Sequence, residues 1–167
     1  SPAENIPRMD NLVGVILSAG KGSRIDPFNT QYPKPLLPVG NVPILGHHLN
    51  RLKAVGIHDV KIVVGHLMDH IINHYGRGNE VGMAIQYVEQ HQTLGIAHAV
   101  SKVEPHVHGP ILLCLGDIFY LTSGPDRMVT RYPAGEFAGV LAVMEDRDPV
   151  SLRKTFSVEP DDAGYVS

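Results

Sequence analysis

The chain has 167 residues, 17 acidic against 14 basic side chains and a formal charge of −3, which suits one compact domain and offers no basic excess for a nucleic-acid backbone. At 43% hydrophobic and 19% charged residues it can bury a sizeable core, so a wholly disordered or fibrous chain is excluded. A single cysteine rules out a disulfide framework and a cysteine zinc cluster, and no apolar stretch nears the roughly 20 residues of a membrane span. A soluble, cytoplasmic protein without membrane or nucleic-acid partners is expected.

Residues 1–11, with their charges and two prolines, lack the apolar centre of a secretory signal and read as an N-terminal tail or expression scar. The domain is expected over 12–167. Five short apolar runs, 13–17, 60–64, 84–88, 111–115 and 139–143, read as buried strands. Between them lie helical patterns. Over 44–55, Leu45, Leu49, Leu52 and Val55 form one apolar stripe, and Gly56 is placed to stop the helix. Two further helical segments run from Met68 to Tyr75 and from Gly95 to Val103, the second ended by Pro105. Alternating strands and helices predict the doubly wound α/β class, a Rossmann-like three-layer sandwich with a mostly parallel sheet. At the carboxyl terminus, 155–159, 160–164 and 165–166 read as a strand, a turn and the opening of a second strand, as in a hairpin cut short.

The interval from Ser18 to about Val42 has no regular periodicity and follows the first strand directly, a place where loops of that length are usually functional. Its Gly20-Lys21-Gly22-Ser23-Arg24 string can turn several backbone N–H groups toward an anion. A P-loop is excluded because Gly-x4-Gly-Lys-Ser/Thr is missing. A dinucleotide fingerprint is excluded because Ile25 stands where its third glycine belongs and no acidic residue follows about 20 positions later. Two cations remain: the planar guanidinium of Arg24, and Lys34, whose backbone is braced between Pro33 and Pro35. Clamps of this type stabilise charge on a phosphoryl group in transfer.

Together with Leu17-Ser18-Ala19 before it, Ile25 after it and Pro33-Lys34-Pro35-Leu36-Leu37-Pro38-Val39, this string resembles the signature of the sugar nucleotidyltransferases, the nucleoside-diphosphate-sugar pyrophosphorylases. The resemblance continues through 90–99, similar to the family's Gln-x4-Gly-Thr-Ala-x-Ala segment, and through Gly116-Asp117 after a buried strand. It implies that Leu17, Ala19, Gly20, Lys21, Gly22 and Ser23 hold the nucleotide and that Gln90 with Gly95 reads the base. It also implies that Arg24, Lys34 and Asp117 serve catalysis, with Asp117 holding Mg²⁺ alongside substrate phosphates. Ser23 for Thr, Ile25 for Leu or Met, Ile96 for Thr and Ile118 for Asn depart from the pattern without removing a required charge.

The implied reaction is transfer of a nucleotidyl group from a nucleoside triphosphate, dTTP or UTP favoured, to a sugar 1-phosphate, with GTP and mannose 1-phosphate as the alternative pair. The family's sugar-binding half and a later second metal-binding aspartate are missing from these residues, so the chain reads as the nucleotide-binding portion, apparently truncated. A rival reading keeps the fold as a regulatory or assembly subunit that binds nucleotide without turnover. An alcohol-phosphate cytidylyltransferase is excluded by the lack of His-x-Gly-His. Cys114 reads as a buried small hydrophobe, His66, His70, His74, His106 and His108 as solvated or capping residues, and His47-His48 and Met128-Val129 as helix surface and core filler. An uncovered sheet edge is a pairing template, so a homo-oligomer is expected.

Overall fold

The structure, a computed structural model, describes residues 11–20, 32–92, 94–121, 128–129, 139–143, 148–152 and 158–164. Its centre is a four-stranded, wholly parallel sheet of β1 (Val13–Ser18), β4 (Asp59–Val64), β5 (Ala84–Glu89) and β6 (Ile111–Leu115) in the order β5-β4-β1-β6. The central strands β1 and β4 are buried on both faces and read as continuous apolar runs, whereas the edge strands β5 and β6 leave Gln86 and Leu113 exposed. Three helices, α1 (Ile44–Ala54), α2 (Met68–Tyr75) and α3 (Ile96–Val103), each lie in a crossover between parallel strands, and a single helical turn, Pro149–Leu152, comes later in the chain. Gly56, at φ +84°, follows the end of α1, and a 3-10 turn carrying Pro105 follows α3.

Side chains alternate across the sheet and define the layers. Ile16, Val60, Ile62 and Ile85 pack with Leu45, Leu49 and Leu52 of α1 and Ile71 and Tyr75 of α2. On the opposite face Val15 and Val63 pack with Ala99 and Val103 of α3. Helices therefore cover both faces, and the expected three-layer α/β architecture is what the chain forms. Val129 is buried in the first cluster, as a core filler should be.

Three expectations need correction. Residues 139–143 form no strand: no described strand pairs with them, and Leu141 and Val143 are 63% and 64% exposed, so the run is apolar without being a ladder member. Part of the long interval after β1 is regular. A 3-10 turn at Lys34–Leu36 leads into an antiparallel ribbon of β2 (Pro38–Val39) and β3 (Val42–Pro43), turned by Gly40 and Asn41, both at positive φ as a tight hairpin requires. In the carboxyl-terminal segment the turn is present, with the Gly164 N–H donating to the Asp161 carbonyl at 2.9 Å, but Val158 and Glu159 are not in a strand. The rest of that predicted hairpin, 155–157 and 165–166, lies outside the described residues.

Candidate active site

Strand order reverses beside β1: the chain leaves it toward β4 and β5 on one side and returns to place β6 on the other. In open parallel sheets the crevice at the carboxyl ends of the strands, at such a reversal, is where ligands bind. Leu17, Ala19 and Gly20 stand at that end of β1, Gly116 and Asp117 at that end of β6, and Gln90 directly after β5. Lys21, Gly22, Ser23 and Arg24 lie outside the described residues.

The ends of β1 and β6 close on one another through Gly116. Its N–H donates to the Leu17 carbonyl at 2.9 Å, and a Cβ there would lie 2.9 Å from that same oxygen and collide with the Ser18 hydroxyl. No side chain fits between the strands. Asp117 then emerges exposed, and among the described residues its carboxylate has no hydrogen-bond or ion-pair partner. A single hard carboxylate with free lone pairs suits Mg²⁺, which takes one or two protein oxygens and completes its shell with water and substrate phosphates. Among the described residues no cluster of three or more histidine, cysteine or acidic side chains is placed to hold a metal ion. His66, His70 and His74 are each exposed.

Lys34 opens the 3-10 turn. The Leu36 and Leu37 N–H groups donate to the carbonyls of Pro33 and Lys34, both at 2.9 Å, and Pro33, Pro35 and Leu36 are buried. The lysine is half-buried, so its backbone is as constrained as the flanking prolines suggest while the ammonium has no partner among the described residues.

Gln90 is only 4% exposed, its backbone N–H tied to the Val64 carbonyl at 2.8 Å. Its side-chain Nε2 donates to Nδ1 of His98 on α3 at 2.7 Å, which leaves Oε1 as the acceptor available to a ligand. Gly95, at φ +96° immediately before α3, adopts backbone that a side chain would strain, and nothing lies within 4 Å of where its Cβ would be. The two residues expected to read the base thus stand at the two ends of the segment that joins β5 to α3. Ile96, one of the departures from the family pattern, is exposed beside it.

Two residues read as helix surface are not. His48 is 1% exposed, with Nε2 donating to the Ile118 carbonyl at 3.0 Å, and His47 is half-buried with Nε2 donating to the Val39 carbonyl at 2.8 Å. The signal was present: His48 falls on the stripe of Leu45, Leu49 and Leu52, where α1 faces the sheet. Burial lowers the His48 pKa from 6.5, the Ile118 and Leu115 carbonyls oppose that shift and the Arg51 charge adds to it, so burial favours the neutral imidazole. Cys114 behaves as expected, buried, with burial pushing its thiol up to about 11.

The crevice beside β1, bordered by Asp117 and Gln90, stands where open parallel α/β sheets bind their ligands. Residues 13–152 match the nucleotidyl transferase family, and the chain is a member of it. It is similar to the low-salt glycan biosynthesis nucleotidyltransferase Agl11 of Haloferax volcanii, 34% identical over 157 residues that cover 92% of this chain and 43% of the relative. It is also similar to a glucose-1-phosphate thymidylyltransferase of Streptomyces griseus, 30% identical over 154 residues covering 84% of this chain and 43% of the relative. The chain thus spans less than half the length of these curated relatives. Among solved structures, UDP-glucose pyrophosphorylase complexed with UDP-glucose shares the fold, with a TM-score of 0.62 at 20% identity over 72% of this chain and 52% of that one. Among the described residues no helix is long and apolar enough to cross a membrane.

Proposed function

We propose that residues 12–167 form the nucleotide-binding portion of a sugar-1-phosphate nucleotidyltransferase. An oxygen of the sugar 1-phosphate attacks the α-phosphorus of a nucleoside triphosphate, the bond from that phosphorus to the bridging oxygen breaks, and pyrophosphate leaves with the electron pair. The observation that carries this reading is the match over residues 13–152 combined with an exposed Asp117 that has no partner among the described residues and stands at the strand-order reversal.

No protein nucleophile is needed, and the protonated, buried Cys114 does not supply one. The chain's own work is alignment and charge neutralisation, which account for most of phosphoryl-transfer catalysis. Backbone of Leu17, Ala19, Gly20, Lys21, Gly22 and Ser23 cradles the triphosphate, Arg24 and Lys34 offset repulsion between the two anions, and Asp117 holds Mg²⁺. When bound, the cation neutralises charge on the phosphate oxygens. Gln90, with its amide N–H turned to His98, accepts the N3–H shared by thymine and uracil, which favours dTTP and UTP equally. The N1–H of guanine is a donor of the same sense, so GTP is the alternative. Cytosine and adenine present a bare nitrogen at the corresponding edge. The Streptomyces relative's thymidylyl activity supports the pyrimidine reading. A cytoplasmic setting and a homo-oligomer belong to the same reading.

Thermal unfolding of the chain with Mg²⁺ and each nucleoside triphosphate tests it. At ~100 times its dissociation constant a ligand adds about 2.7 kcal/mol, a rise of roughly 5–10 °C for a domain of this size. A shift with dTTP or UTP that Arg24→Ala abolishes is expected, followed by pyrophosphate release when glucose 1-phosphate is added to the whole protein. Binding without release would favour the regulatory reading, and no shift with any triphosphate would contradict the nucleotide site.

A further inference from the structure

Residues 116–121 leave β6 without entering another helix or strand, so Asp117 lies beyond the ladder that fixes the sheet. The Ile118 N–H reaches the Leu115 carbonyl at 3.3 Å, a weak closing turn. Gly116 is tied to the Leu17 carbonyl and the Tyr120 side chain meets the Cys114 thiol, while the main chain of 118–120 is held from α1. His48 donates to the Ile118 carbonyl at 3.0 Å, and the Arg51 guanidinium donates to the Tyr120 carbonyl. That guanidinium also lies 4.4 Å from the Tyr120 ring centre and 5.5 Å from that of Phe119, and the His47 ring meets Phe119 edge-on at 4.9 Å. Three side chains of one helix thus grip the three residues that follow Asp117.

Packing alone does not account for them. Nδ1 of His48 and one terminal guanidinium nitrogen of Arg51 are buried without a hydrogen-bond partner among the described residues, a penalty that leucine or methionine at these positions would avoid. Both residues carry this penalty, and both bond the same segment. The helix also holds the cation's side of the crevice: the His47 Nε2–H donates to the Val39 carbonyl, and the Ile44 N–H to the Leu37 carbonyl at 3.0 Å, tying down the chain that follows Lys34.

We infer that His48 and Arg51 are positioning residues, which fix the Asp117 carboxylate relative to Lys34 by anchoring the 118–120 backbone to α1. The inference rests on the reading of Asp117 as the Mg²⁺-holding carboxylate. His48→Leu removes the donor and fills the site, while His48→Gln keeps an N–H at similar reach. In hydrogen exchange of the unliganded chain, His48→Leu raises deuterium uptake across 116–121 and leaves β1 and β4 unchanged. In Mg²⁺ titrations of dTTP binding it raises the Mg²⁺ half-saturation about 10-fold, the low end of what losing an outer-shell partner costs a metal site. Nucleotide affinity without Mg²⁺ stays unchanged, and His48→Gln restores both readouts. Arg51→Met produces the same pattern and decides the matter if His48→Leu does not fold. Unchanged exchange in 116–121, or equal weakening with and without Mg²⁺, overturns the inference. Failure of the unaltered chain to bind any nucleotide would instead overturn the functional reading, with the exchange arm still testing the anchoring.

Discussion

Two loops leave the carboxyl end of the sheet toward the crevice, and a histidine secures each in a different way. After β6, the buried His48 holds the main chain beyond Asp117 through the Ile118 carbonyl. After β5, the half-buried His98 holds a side chain, the Gln90 amide, and the main chain is already tied to β4. A hydrogen bond to backbone sets where a neighbouring charge sits, whereas a hydrogen bond to a carboxamide sets which of its two ends, donor or acceptor, faces the ligand. On the proposed reading one loop places charge and the other chooses the base, so damage to each should be felt differently.

The largest effect is expected at the charge itself. Asp117→Asn keeps the shape and removes the anion, and Mg²⁺-dependent dTTP binding or turnover should fall at least about 100-fold, since a bound cation contributes several kcal/mol. The exposed position means thermal stability without ligand should hardly move. A comparable loss of unliganded stability would show that Asp117 serves the fold.

On the other loop the expected change is one of selectivity. His98→Ala frees the Gln90 amide to rotate, so the preference for dTTP over CTP should shrink by roughly 5-fold, the worth of one net hydrogen bond of about 1 kcal/mol. Competition binding with the two nucleotides reads this out. A uniform loss of affinity for both would mean that His98 supports the turn rather than the amide.

The smallest effect is a pH dependence at His48. The His48 pKa is lowered in the fold by burial, against its Ile118 bond and together with the charges of Arg51 and His47. The unfolded chain therefore takes up the proton first, and the stability that neutral His48 contributes is present above pH 6.5 and lost as pH falls below it. Urea midpoints measured between pH 7.5 and 5.5 should decline, and His48→Gln should flatten part of that decline. An equal slope in both proteins would show that His48 is not the titrating group.

Much of this was legible in the sequence, for reasons that also explain the errors. Strands β1 and β4 announce themselves because burial on both faces demands unbroken apolar runs, and the edge strands β5 and β6 are short, mostly apolar runs of the same kind. The run 139–143 meets the same compositional test and fails because a strand also needs a ladder partner, which composition does not report. Strands β2 and β3 are two residues long and include prolines, too short for any periodicity. At the site, Gln90, Gly95 and Asp117 came from the family resemblance and lie at or just beyond the carboxyl ends of β5 and β6, while Lys34 lies in the 3-10 turn before β2. The supports behind them did not come from the resemblance. His48 and Arg51 bond to residues 70 and 69 positions away in sequence, and a polar side chain on a helix reads as surface until its partner is known.

The central claim is that the carboxyl end of the sheet, at the reversal beside β1, binds a nucleoside triphosphate. The most direct measurement is amide hydrogen exchange of the chain with and without Mg²⁺ and saturating dTTP. The account predicts protection confined to 17–24, 90–96 and 116–118, with the amino-terminal ends of the strands unaffected. Protection elsewhere with these three segments unchanged, or none at a concentration where binding is independently measured, would contradict it.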